Sequence, residues 1–139
     1  MSEKVFVDST LLVYAHDVDA GEKRAIAEHV LRQLWQDKSG VLSTQVLQEF
    51  YANLTHNIAT PVPRRDARAL IDAYRVWPVA TLDAGDVLAA SELEERLGIS
   101  FWDATIVVTA LKSGAAVLLS EQLHPGRGIS GLEVRNPFA

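Results

Sequence analysis

Four carboxylates stand where a fold could gather them. Asp8 closes the apolar run Val5-Phe6-Val7, and Glu121 follows Leu118-Leu119-Ser120. In open α/β sheets the ligand crevice lies beyond the carboxyl ends of the strands, so an acid in either place is well positioned for a site. Asp8 is equally able to cap the next helical turn through Ser9-Thr10-Leu11. Asp103 lies in Ser100-Phe101-Trp102-Asp103, which fits a capping box. It also shares a helical face with Ile106, Val107 and Ala110 in a segment apolar nearly all round, with no Lys or Arg within a turn. A carboxylate buried there needs a cation or several donors, and a metal ion is a natural partner. Glu49 is the weaker signal. The apolar stripe of its helix is Leu47, Phe50, Tyr51 and Leu54, which leaves Glu49 looking solvated unless other acids keep it company. Glu121, taken alone, reads as a solvent-exposed loop residue.

Two or more carboxylates at one sheet edge form a hard-oxygen site suited to Mg²⁺ or Mn²⁺. Thiolate ligation is excluded because cysteine is absent, and the four histidines show no H-x-x-x-H spacing. Nor does the chain carry a G-x-G-x-x-G, Walker A or G-x-S-x-G pattern.

The elements that would position these acids alternate. Short strands are expected at Val5–Val7, Gly40–Leu42, Val79–Leu82, Ala115–Leu119 and Leu132–Val134. Between them the pattern predicts a helical turn over Leu11–Tyr14 and helices from Glu22 to Trp35, from a Ser43 or Thr44 cap to Thr55, and from Arg64 to Val76. Two more are expected: one after Asp83, with Ala89, Leu93 and Leu97 on its inner face, and one from Ser100 to Ser113. A Gly/Pro-rich loop spans Gln122 to Gly131. Such alternation implies a single α/β domain over residues 1–139, a parallel sheet with helices on both faces.

The chain has 139 residues, 48% hydrophobic and 22% charged, which is ordinary globular composition. Its net charge of -5 weighs against a nucleic-acid binder that relies on electrostatics alone. It does not weigh against a nuclease, whose metal-binding acids themselves lower the net charge. The lack of cysteine, of a basic n-region with an apolar h-region, and of any transmembrane-length stretch suggests a cytoplasmic protein without membrane contact.

At this point the ordered motifs resemble a known family. Val5-Phe-Val-Asp-Ser-Thr-Leu-Leu-Val-Tyr-Ala15 is similar to the opening of PIN-domain ribonucleases. Leu42-Ser-Thr-Gln-Val-Leu-Gln-Glu-Phe-Tyr51, Ile99-Ser-Phe-Trp-Asp-Ala104 and Leu118-Leu-Ser-Glu121 resemble the second, third and fourth motifs. The closing Asn136-Pro137-Phe138 looks like the end of many VapC-type toxins. The resemblance implies a Rossmann-like, five-stranded parallel sheet and an Mg²⁺- or Mn²⁺-dependent endoribonuclease acting on RNA. It further implies a homodimer restrained by a small VapB-like antitoxin. Carried over by position, Asp8, Glu49 and Asp103 are the catalytic acids, with Asp8 and Asp103 the metal ligands. Two positions depart from the family pattern. Thr10 stands where Asn is commoner, and Gln122 stands at the usual fourth acid, with Glu121 beside it as a candidate substitute.

On this reading Asp8 and Asp103 hold the ion, and Glu49 completes the shell or orients the attacking water. Arg64, Arg65, Arg68 and Arg127 are candidates for phosphate contacts. One ion is expected, with any second weak or absent. Two alternatives stand beside this one: a PIN-like RNA- or protein-binding module with weakened turnover, and a HAD-type phosphohydrolase. The latter needs a second acid two residues after Asp8, where Thr10 stands.

Overall fold

A computed structural model describes residues 3–123 and 129–139. Five strands form one sheet: β1 (Val5–Val7), β2 (Gly40–Ser43), β3 (Val79–Ala80), β4 (Val117–Leu119) and β5 (Glu133–Arg135). Six helices connect or flank them: α1 (Ser9–His16), α2 (Glu22–Asp37), α3 (Thr44–His56), α4 (Arg64–Tyr74), α5 (Ala84–Leu97) and α6 (Phe101–Lys112). Every pairing is parallel and the order is β3-β2-β1-β4-β5. This is the expected α/β architecture. Buried on both faces, β2 and β4 are continuous apolar runs because a parallel sheet is covered by helices above and below.

The order places β1 in the middle. The chain winds from β1 outward through β2 to β3, then returns to the other side of β1 with β4. The gap between β1 and β4 is therefore the topological switch point, where a crevice opens beyond the strand ends. Small polar residues follow the apolar strands here: Asp8 after β1 and Ser120 after β4, both buried.

The core joins Phe6, Leu11 and Leu12 to Val46, Phe50 and Leu54 of α3 and to Val107 of α6. An aromatic group of Trp35, Phe50, Tyr74 and Trp77 closes the β3 end, with ring centroids 5.0 to 5.9 Å apart. Gly40 is dictated by this group. A Cβ there would lie 2.3 Å from the Trp77 ring, so no other residue lets the indole lie against β2.

Several boundaries differ from the sequence-based expectation. The turn expected at Leu11–Tyr14 is a full helix from Ser9, because Asp8 caps it and its apolar residues pack inward. Strand β3 has only two residues rather than four. In α5 Leu93 is buried and Leu97 half-buried as expected, while Ala89 is exposed and Ala90 takes its place in the core. Asp83 and Ser100 cap α5 and α6 as the sequence predicts, and of Ser43 and Thr44 it is Ser43 that caps α3. No helix among the described residues is long and apolar enough to cross a membrane.

Candidate active site

Asp8 is buried at the mouth of the switch point. As the N-cap of α1, its Oδ1 accepts a hydrogen bond from the Ser9 backbone N–H at 2.7 Å. Its Oδ2 accepts one from the Ser120 hydroxyl at 3.0 Å. The capping and site readings of Asp8 thus coexist, one per oxygen. Burial pushes the Asp8 carboxyl above the ordinary range; the Ser9 and Ser120 bonds oppose this, and Asp103 adds to it.

Glu49 comes from α3, and the solvated picture of it needs correction. The stripe that α3 buries is Val46, Phe50 and Leu54, with Leu47 and Tyr51 only half-buried. At 3.6 residues per turn this is a rotation of roughly 50° from the expected stripe, enough to carry Glu49 to the margin of the core. Its Oε1 is buried and without a hydrogen-bond partner. Burial raises the Glu49 carboxyl, and the charges of Asp8 and Asp103 raise it further.

Asp103 lies half-buried in the first turn of α6, where its N–H donates to the Ser100 hydroxyl at 3.0 Å. The three acids therefore come from the end of β1, the middle of α3 and the start of α6. They share one electrostatic field: Asp103 acts on Asp8 and Glu49, and Asp8 acts on Glu49.

The fourth motif behaves differently. Glu121 accepts a hydrogen bond from the Tyr14 hydroxyl at 2.6 Å on Oε1 and pairs with Lys23 through Oε2. Partial burial raises its carboxyl, but the Lys23 and Tyr14 bonds outweigh this and leave it below the ordinary range. Both oxygens are thus engaged away from the other acids. Gln122 instead lines a cleft of about 260 Å³ with Thr10, Asn53 and Asn57. The Thr10 hydroxyl is buried without a partner, like Glu49 Oε1.

Among the described residues no three His, Asp or Glu side chains converge into a closed cage. Mg²⁺ does not require one, since it keeps several waters and is bound through one or two carboxylates. The residues fit such an open site. Burial first and neighbouring acids second raise Asp8 and Glu49, one oxygen is orphaned, and no Lys or Arg ion pair engages Asp8, Glu49 or Asp103 among the described residues.

The PIN domain family model matches residues 5–121, most of the chain and all three acids. The chain belongs to the PIN domain family. Its fold is similar to the Mycobacterium tuberculosis toxin VapC20, described as cleaving the sarcin–ricin loop, with a TM-score of 0.62 and 21% identity over 83% of this chain and 87% of that one. A toxin–antitoxin complex from Klebsiella pneumoniae gives a TM-score of 0.67 at 15% identity over 96% and 98%. A DNA-bound VapBC from Salmonella typhimurium gives 0.66 at 14% over 98% and 99%. At these identities the likeness is one of fold. No curated protein sequence matches the chain.

Within this PIN domain, sequence reasoning missed Ser120 as a partner of Asp8. Its signal was available: a small hydroxyl residue directly after a fully apolar strand. The proposed phosphate contacts Arg64, Arg65 and Arg68 are exposed on α4, and Arg127 lies outside the described residues. His16 is half-buried against Tyr74, 2.9 Å from its hydroxyl, and His29 and His56 are exposed. Those three therefore stay outside the site, and His124 is not among the described residues.

Proposed function

We propose that this PIN domain is a divalent-metal-dependent endoribonuclease, the toxin of a VapBC-like module. The observation that supports the reading is Glu49 Oε1, buried and unpartnered in a carboxyl on which the charges of Asp8 and Asp103 both act. Asp8 and Asp103 would hold Mg²⁺ or Mn²⁺. When bound, the ion supplies a nucleophile at neutral pH and neutralises charge at phosphorus. Ser120 and the Ser9 N–H fix the Asp8 carboxylate, so the ligand is oriented before an ion arrives. Glu49, its carboxyl raised by burial and with one oxygen unpartnered, is suited to take a proton from the attacking water.

The toxin role and a small antitoxin partner are supported by the fold shared with VapC and VapBC structures; a homodimer in the cytoplasm belongs to the same reading. A second reading, a PIN-like binding module with weakened turnover, is favoured by the engagement of Glu121 with Lys23, which leaves only three acids.

The deciding experiment is cleavage of an RNA pool by purified protein with Mn²⁺, with EDTA, and with Asp8→Asn. Cleavage that needs both the ion and Asp8 is expected. Equal cutting in excess EDTA would overturn the metal mechanism, and Mn²⁺ binding without cleavage would select the binding module. Expression without a partner should arrest bacterial growth, and co-expression of the adjacent small gene product should relieve it.

A further inference from the structure

Trp102 is 69% exposed, although it directly precedes Asp103. Its ring meets Phe101 edge-on at 5.3 Å and forms one wall of a cleft of about 410 Å³. The other walls include Thr44, Gln45 and Gln48 of α3 and Thr105 of α6, and no lining residue is charged. None of the three acids lines the cleft, but two of its residues stand close to them along the helices. Trp102 neighbours Asp103, and Gln45 lies one turn before Glu49 on the same side of α3.

The row continues past Glu49. Gln45, Glu49, Asn53 and Asn57 recur every four residues, so amides flank the carboxylate in both directions over roughly 18 Å of helix. The Thr105 hydroxyl lies 2.6 Å from the Trp102 carbonyl oxygen and 3.0 Å from the Gln45 side-chain amide, which ties Gln45 to α6. Asn57 donates to Asn53 Oδ1 at 2.8 Å. Gln48 is exposed at the cleft and makes no side-chain hydrogen bond among the described residues.

We propose that Trp102 is a stacking platform for an unpaired nucleobase next to the scissile phosphodiester, and that Gln48 reads the edge of that base. The substrate is accordingly a single-stranded or looped RNA lying along the amide row of α3. This rests on the ribonuclease reading above and adds to it the two residues that set which base lies beside the cut. The chemistry of the lining carries it. A cleft without cations does not select a phosphate, whereas an exposed indole beside neutral donors and acceptors matches a base face and its edge. The acidic chain points the same way. Lys23, Arg24, Arg75, Lys112 and Arg135 are each paired with a carboxylate of the same chain, which leaves fewer cations for phosphate contacts.

The test measures binding separately from cleavage. Fluorescently labelled single-stranded and duplex RNA oligomers are titrated with native protein, Trp102→Ala, Trp102→Phe and Leu88→Ser in EDTA, where the proposed chemistry is off. Tryptophan emission and sedimentation are followed in parallel. Single strands should bind better than duplex, with quenching that disappears in Trp102→Phe. Trp102→Ala should weaken single-strand binding about 5- to 150-fold, the range of a lost base–aromatic stack, and Trp102→Phe should weaken it less. Leu88→Ser, exposed on α5, should change nothing. In Mn²⁺, Gln48→Ala should broaden the base preference beside the cut. Unchanged affinity in a folded Trp102→Ala that still cleaves RNA would overturn the proposal and leave the nuclease reading intact. A changed oligomeric state in that variant would give the indole to a second copy of the chain and also overturn it. Native protein that neither binds nor cuts RNA would remove the nuclease reading and this inference together.

Discussion

Ser120 donates its hydroxyl to Asp8 Oδ2 at 3.0 Å, joining residues 112 positions apart across the gap between β1 and β4. The same hydroxyl oxygen accepts from the Leu123 N–H at 3.2 Å, so one buried atom ties the end of β4 to both the acid and the following loop. Ser120→Ala strips a donor from a buried carboxylate and an acceptor from a buried amide. A loss of about 1–3 kcal/mol is expected, the usual cost of leaving a buried polar group unsatisfied. Urea unfolding without metal measures it, and an unchanged midpoint would show that water replaces the hydroxyl at no cost.

Glu49 is costly to the fold as it stands, since its carboxyl is half-buried, faces two other acids and has one oxygen without a partner. Glu49→Gln removes the charge at nearly constant volume. The variant should unfold at higher temperature than the native chain in EDTA while cleaving RNA about 10²–10⁴ more slowly, the span of a lost general base. A variant that is less stable and equally active would show that Glu49 supports the fold rather than the chemistry.

Glu121 is occupied by Lys23 and Tyr14, so it should contribute little to an ion at Asp8. Mn²⁺ calorimetry should give one principal site, lost in Asp8→Asn and retained in Glu121→Gln. Gln122→Asp should tighten it by restoring an acid at the fourth position. Saturation at about 100 times Kd should stabilise the native protein by about 2.7 kcal/mol. Two tight sites, both sensitive to Glu121→Gln, would contradict the geometry.

His16 gives a pH dependence away from the acids. Burial lowers its pKa; Glu28 raises it and Arg24 lowers it. A histidine depressed in the folded state contributes full stability above its unfolded value of about 6.5 and loses it as pH falls through the folded value. Melting temperature should therefore drop as pH is lowered from about 7 to 5, and His16→Gln should flatten that drop. Parallel curves for the two proteins would place the acid sensitivity elsewhere.

The sequence alone determined the alternation of strands and helices, the caps at Asp83 and Ser100, a cap at Ser43 or Thr44, and the placing of Asp8 at a strand end and Asp103 at a helix start. Those are local facts: an apolar run stops, a capping residue starts a helix, and the period of the pattern changes. The surroundings of Glu49 were not legible, because which stripe of α3 is buried depends on what packs against it. Val46 meets the core, and that turns the helix about its axis. Nor could the sequence say where Glu121 would point, since Lys23 and Tyr14 reach it from α2 and α1, nearly a hundred residues earlier. The meeting of Ser120 with Asp8 likewise needs the parallel pairing of β1 with β4, a long-range contact that leaves no periodic trace in the chain.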